Sequence, residues 1–455
     1  MLSLTQRRFA GDAGCTRREW LRIGTLGLTG LGLSDVLAMR ATAADQRTVT
    51  DTSVVLLFLT GGASHIETFD PKMAAPAEYR SVTGATTSRL PGVAFGGTFP
   101  RLAACADRMA VVRSFSHNIS DHTRAVEHVI RGGNRAEAGM GAVVARLRGT
   151  TAGSMPGHVH VNAREIDPQF DKERMRLLAA DGPGHLGGMY TPFQPGGSGN
   201  ANRDMRLNIN RDRLLDRRAL QVAFDRLERQ IDASGAMASL DAFERQAYEL
   251  ILGRARTAFD LSREDRRLVD RYDTSRFHPG IRRHGPSSLG QQFLLARRLC
   301  EAGCGFVTIH NAGWDMHGGD TQYAIARGMN ELGTPVDHAV SAFLEDVEQR
   351  GLSDKILLVI TSEFGRSPRI NRSAGRDHWP QLSTLALAGG GLKMGQVVGR
   401  SSARAEQPVS RPIAPENLLA TVLHALFHVP SLRLQRGLPQ PIASAIDHAP
   451  INELV

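Results

Sequence analysis

Lysine is almost missing from this sequence. It stands only at positions 72, 172, 355 and 393, although Lys and Arg together number 55 against 46 Asp and Glu, for a net charge of +9. The arginines are interleaved with acids, as in RDRLLDRRALQVAFDRLERQ, so they read as solvated helix faces and not as a cationic track. Aromatic residues are scarce at 5% and form no stripe within a basic stretch. Helix-turn-helix and zinc-finger spacings are missing as well, which excludes nucleic acid as the expected partner. Cysteine is nearly absent too: Cys15, Cys105, Cys300 and Cys304 are all there are. An odd three follow the N-terminal segment, Cys300 near an expected helix end and Cys304 at a strand entry. That is neither a disulfide framework nor a zinc ribbon, so core packing is the expected role. No G-x-G-x-x-G or Walker pattern occurs, and Ser64 does not sit in G-x-S-x-G.

What is present begins with TRREWLRIGTLGLTGLGLSDVLAMRATAAD. Arg17-Arg18 precede a short Gly- and Leu-rich apolar stretch, and Ala41-Thr42-Ala43 supplies an A-x-A site. This is the pattern of a twin-arginine export signal over residues 1–43, which implies a periplasmic or extracellular protein. Gly and Asp35 interrupt the apolar run, making it too short and too weak for a membrane span, and no later segment approaches that length.

From Thr52 onward strands and helices alternate. SVVLLFL, MAVVRSF, GHVHVNA, CGFVTIH, KILLVIT and STLALAGGG read as short strands, the most aliphatic of them buried on both faces. FPRLAACADR, SDHTRAVEHVIRGG, SLGQQFLLARRLCEAG and APENLLATVLHALF read as helices, the second with Ser120 and Asp121 as capping residues. TPVDHAVSAFLEDVEQRGL places Thr334 at an N-cap and Pro335 at N1. Between about 165 and 300 a Gly-rich loop leads into RLLDRRALQVAFDRLERQI, SLDAFERQAYELILGRARTAF and SREDRRLVDRYD, a helical elaboration on the sheet. The expected architecture is α/β, a mostly parallel sheet sandwiched by helices, as a single domain over 44–455.

In such sheets ligands sit beyond the carboxyl ends of the strands. Four strand ends carry His, Asp or Glu. The first is followed by Ser64, His65, Glu67 and Asp70. The second is followed by His117, Ser120, Asp121, His122, Thr123 and Arg124. Asp315, His317 and Asp320 follow CGFVTIH, and Glu363, Arg366, Asp377 and His378 follow KILLVIT. Imidazole with carboxylate suits Zn, Mn or Fe, alone or mixed with Mg or Ca. Two such metals clamp the oxygens of a phosphoryl or sulfuryl displacement, and Arg124 and Arg366 suit a tetrahedral oxyanion.

The stretches CTRREWLRIGTLGLTGLGLSDVL, GGASHIETFDPK, DHTRAVEHVIRGG, GHLGGMYTPF, AGWDMHGGD, SEFGRSPRIN and GRDHWP resemble an exported bacterial family called domain of unknown function 1501. The resemblance runs from the signal to about residue 430. That family is similar in fold to the alkaline phosphatase and sulfatase superfamily. The resemblance implies a divalent metal (Zn, Mn, Ca or Mg) held by Asp315, His317, Glu363, Asp377 and His378, with His65 and His122 completing or lining the site. Glu363-Phe364 stands where the superfamily has Asp-His. Ser120 or Thr123 occupies the place of the nucleophile, without the Cys or Pro of the sulfatase stretch. The expected activity is hydrolysis of a small-molecule or saccharide phosphate or sulfate ester. A non-catalytic envelope binding or scaffold protein, with a protein partner, and an iron-dependent redox protein stay open as alternatives.

Overall fold

The computed structural model describes residues 48–149, 155–162, 170–195, 254–277, 286–319, 323–435 and 437–455. The expected signal at 1–43, Asp320 and the elaboration helices across 196–253 lie outside them. The chain divides into two units, Asp51–Leu426 with Pro439–Val455, and Met1–Thr50 with Phe427–Leu438. In the smaller unit the described residues include a helix, Val429–Arg433, and a bridge between Val49 and Phe427.

The larger unit carries strands β1 (Ser53–Leu59), β2 (Ala85–Thr87), β3 (Ala94–Gly96), β4 (Met109–Val112), β5 (His158–Asn162), β6 (Phe306–Asn311), β7 (Ile356–Thr361), β8 (Gly365–Arg366), β9 (His378–Trp379), β10 (Leu385–Gly389) and β11 (Gln396–Val398). Seven of them form one sheet in the order β11-β4-β10-β7-β1-β6-β5. β10 runs antiparallel to both β4 and β7, and the other pairs are parallel. The continuous aliphatic runs follow from this geometry. β1 and β7 are central, covered on both faces, and every residue in them is buried. Helices Leu289–Glu301 and Thr334–Gln349 bury apolar stripes against the core that holds Leu57, Phe293, Phe343 and Leu358. Cys105, Cys300 and Cys304 are free thiols buried in that core.

One helix begins elsewhere than expected. Thr334 is not an N-cap: a helix at Ile325–Gly328 passes through a π-turn at Met329–Gly333 and continues into Thr334–Gln349. Pro335 explains the widening. It has no N–H for the carbonyl four residues back, and its ring would crowd that carbonyl in a regular α-turn.

Candidate metal centre

The site is built where the central parallel strands end. β7, β1 and β6 are neighbours, so the segments after them meet. Gly61, just past β1, has φ +111, and a Cβ there would lie 2.4 Å from the Asp315 amide nitrogen. Only glycine permits that approach. It also turns the Gly61 N–H onto Glu363 Oε1 at 2.7 Å. Trp314, fully buried, donates its amide to Thr60 O at 3.0 Å and its indole N–H to Asn311 Oδ1 at 2.7 Å, which fixes the loop ahead of Asp315. β8 and β9 then fold the chain back as a two-stranded ribbon that pairs Arg366 with His378. His122 arrives from the segment after β4, as the first residue of the helix His122–Arg131, capped by Asp121.

Three imidazoles converge on one carboxylate oxygen. His317 Nε2 lies 3.0 Å from Asp315 Oδ1, His378 Nε2 3.3 Å and His122 Nε2 3.4 Å, and the first two nitrogens are 3.0 Å apart. Each ring is held from behind. His122 Nδ1 meets Glu363 Oε1 at 2.8 Å, His378 Nδ1 meets the Ser120 carbonyl at 2.9 Å, and His317 Nδ1 meets Asp377 Oδ1 at 3.2 Å. Carbonyls and carboxylates only accept, so each Nδ1 carries a proton, and each Nε2, facing Asp315 Oδ1, either carries a second proton or gives its lone pair to a cation. Lone pairs aimed together at a carboxylate repel one another unless a cation or an added proton lies between them. A metal-binding histidine is held in the same way, the nitrogen away from the ion donating to a carboxylate or carbonyl. His122, Asp315 and His378 have ligand atoms within 4.8 Å of one another, and they are the only such group among the described residues. Imidazole and carboxylate donors with partial solvent access fit a divalent ion of the zinc or manganese kind.

The electrostatics agree. Burial opposes charge on His122, but its bonds to Asp315 and Glu363 outweigh it and raise its pKa to about 9, so without an ion this ring holds a second proton at pH 7, in the place a bound cation would take. Burial likewise opposes charge on Asp315, yet three imidazoles and the Arg366 guanidinium hold it well below the usual carboxylate range. Glu363 is fully buried and still lowered, because His122 and the Gly61 amide satisfy it. The ring of Phe364 floors the site, 4.9 Å from His122 and 4.5 Å from His378 between centroids.

The other expected residues are placed differently. Asp377 is exposed, 62% by side chain, and orients His317 together with Asn371. Arg366 is completely buried: it donates to the Gly62, Arg376 and Gly61 carbonyls and to Asp315, so its guanidinium braces the loops and its fork is not open to an oxyanion. Ser120 joins through its carbonyl alone, and Ser120, Thr123 and Arg124 are exposed at the helix start. His65 is not brought to the cluster. It lies in a buried turn, His65–Thr68, with Nε2 3.0 Å from the Ala405 carbonyl, and burial lowers its pKa to about 4.

Glu173 was not anticipated. It comes from the helix Asp171–Ala180, whose sequence DKERMRLLAA reads like any solvated helix. Its Oε2 accepts from Thr60 Oγ1 at 2.9 Å and from the Gly313 amide at 3.1 Å. Enclosure of the carboxyl, reinforced by the charges of Glu363 and Asp315, pushes its pKa up to about 7. No sequence signal marks it, because its partners come from two distant strand ends.

A family model described as "Protein of unknown function (DUF1501)" matches residues 51–455. No curated protein matches the chain. Among solved structures, a phosphonate monoester hydrolase from Silicibacter pomeroyi is 12% identical, covering 82% of this chain and 73% of its own, with a TM-score of 0.30. A sulfatase from Pseudoalteromonas sp. is 12% identical over 86% and 71%, with a TM-score of 0.32. A protein in the alkaline phosphatase superfamily from Vibrio parahaemolyticus is 8% identical over 87% and 76%, with a TM-score of 0.34. Likenesses this remote do not carry over what those proteins act on.

Proposed function

We propose that this chain, which belongs to the DUF1501 family of proteins of unknown function, is an exported metal-dependent hydrolase of phosphate or sulfate esters. One observation supports the metal: three Nδ1-anchored imidazoles turn their Nε2 atoms onto Asp315 Oδ1. In this reading Asp315, His122, His317 and His378 hold the ion, and Glu363 and Asp377 orient His122 and His317 from behind. When bound, a divalent ion supplies Lewis-acid polarisation of an ester oxygen. Arg366 ties Asp315 to the Gly61-Gly62 backbone, so the carboxylate cannot swing away from the imidazoles. Glu173, with a carboxyl pKa of about 7, can hold or release a proton at the same strand ends. Export by the twin-arginine route suits a protein folded around its metal before translocation.

Metal analysis by mass spectrometry on the purified protein tests the reading, alongside hydrolysis of aryl phosphates, phosphodiesters and aryl sulfates. The expected result is a stoichiometric divalent metal and turnover that His317→Ala abolishes. Protein that takes up neither zinc nor manganese on dialysis, with no turnover, overturns it. A non-catalytic envelope binding protein is the second reading. It is favoured by the committed donors of Arg366 and by the exposed Ser120 and Thr123, whose hydroxyls make no contact with the cluster among the described residues. Bound metal without hydrolysis of any ester would leave that reading standing.

A further inference from the structure

A cleft of about 610 Å³ lies among Thr98, Arg101, Arg276, Phe277, Asn330 and His338, within the size range of small-ligand sites. It shares no residue with the histidine cluster. Its lining joins polar side chains to Gly97, Pro100, Ala326 and one aromatic face, and an exposed guanidinium is held at it. Arg276 Nη2 donates to His338 Nδ1 at 3.2 Å, and Arg276 Cζ lies 5.0 Å from the centre of the Phe277 ring. His338 is in turn held by its Nε2, 2.9 Å from the Arg271 carbonyl. Burial, with Arg101 and Arg276 nearby, keeps its pKa below the ordinary value, so the neutral ring accepts from Arg276 at pH 7. The remaining donors of Arg276 have no partner among the described residues. They are oriented in advance, which lowers the entropy lost on binding a carboxylate or sulfate.

The rest of the cleft complements that fork. Asp337 also lines the cleft and offsets part of its positive charge, but its two oxygens accept the Arg101 and Leu102 amides at 3.1 and 2.8 Å and it makes no ion pair with Arg276 among the described residues. The Arg101 guanidinium makes no hydrogen bond or ion pair among the described residues, so a second cation borders the cleft. Asn330 sits exposed in the π-turn Met329–Gly333, and such widened turns commonly re-aim side chains at functional sites. Two arginines select an anion, Phe277 offers a flat apolar face, and Thr and Asn side chains supply donors and acceptors for hydroxyls. We infer that this cleft binds an acidic saccharide, a sugar ring carrying a carboxylate or a sulfate.

Saturation-transfer NMR on the full chain tests this with D-glucuronate, D-glucose 6-sulfate, D-glucose and sodium sulfate as probes. The two acidic sugars are expected to receive saturation on their ring protons, and glucose at least five-fold less. Arg276→Gln and Phe277→Ala should each lower the acidic-sugar signal at least five-fold, and Arg267→Gln, in the helix Arg266–Tyr272 and outside the cleft's lining, should not. Thermal unfolding midpoints matching the wild type show that a variant is folded, and Arg276→Gln serves alone if Phe277→Ala is not. Glucose binding as well as the acids, or signals unchanged in folded Arg276→Gln, overturns the inference. So does displacement of the acidic sugars by an equal concentration of sodium sulfate, which would make this an anion site only. None of these outcomes depends on metal or on ester hydrolysis, so the cleft and the proposed activity stand or fall separately.

Discussion

Strand β6 serves two groups of histidines, one in its body and one just past its end, and they are arranged oppositely. In the body, His310 of β6 faces His160 of β5 with ring centroids 6.4 Å apart, and Asp181 lies beneath, 2.8 Å from His160 Nδ1 and 3.2 Å from His158 Nε2. All four side chains are buried. Here one carboxylate oxygen, Asp181 Oδ2, meets two imidazole nitrogens in a group sealed from solvent, while Asp181 Oδ1, His158 Nδ1, His160 Nε2 and His310 Nδ1 have no hydrogen-bond partner among the described residues. Past the strand end, the rings around Asp315 turn their Nδ1–H groups outward to Glu363, Asp377 and the Ser120 carbonyl, and their Nε2 atoms inward. A count of His and Asp would rank the two groups alike. Burial and the backing of each ring separate them: the group in the strand is sealed from solvent, whereas the rings at Asp315 are each anchored through Nδ1 and half-buried, open to a cation.

The sharpest way to break this comparison is Asp181→Ala. Removing the shared acceptor leaves His160 Nδ1 buried and unpaired and His158 Nε2 with Thr308 Oγ1 alone, so we expect a stability loss of about 3–5 kcal/mol by urea unfolding, without change in metal content. Asp377→Ala, exposed at the other cluster, is expected to stay within about 0.5 kcal/mol. Comparable stability losses in both variants, or a change in metal content in Asp181→Ala, would erase the proposed distinction.

The next test acts on the open group from behind. Glu363→Gln keeps an acceptor for the Gly61 amide but removes the charge that supports His122. Zinc affinity, read by competition with a chromophoric chelator, is expected to fall about 10–100-fold, as for other outer-shell partners. His160→Gln is expected to leave it unchanged. A Glu363→Gln variant with wild-type affinity would mean that His122 is not a ligand.

How legible were these features beforehand? β1, β6 and β7 were plain as aliphatic runs because each is covered on both faces. The reversed direction of β10 was not, since LALAG pairs equally well either way. Asp315, His317, Asp377, His378, Glu363 and His122 stood out because they follow strand ends of one parallel sheet. His65 follows such an end too, yet as the first residue of the buried turn His65–Thr68 it presents its Nε2 to the Ala405 carbonyl. Arg366 looked like an anion clamp. Its burial depends on carbonyls that two left-handed glycines, Gly61 and Gly62, present to it, and no local pattern announces that. The alternation in HVHVN places His158 and His160 on one face, but only the fold supplies Asp181 beneath them.

The smallest expected effect follows from His310, which touches both regions. Its Nε2 is 2.7 Å from Thr60 Oγ1, which donates onward to Glu173. Its Nδ1 has no protein partner among the described residues, and burial holds its pKa well below 6.5. The folded state therefore keeps this ring neutral where the unfolded chain, with a His pKa of about 6.5, takes up a proton. The stability tied to that neutrality is fully present above pH 6.5 and is lost as pH falls, by up to about 1.4 kcal/mol per pH unit. Urea unfolding at pH 7.5, 6.5 and 5.5 should show His310→Gln losing about 1 kcal/mol less than wild type between the last two values. Parallel curves for the two proteins would mean that His310 protonates equally in both states. The buried group would then have a path to solvent, and its difference from the cluster at Asp315 would be one of degree.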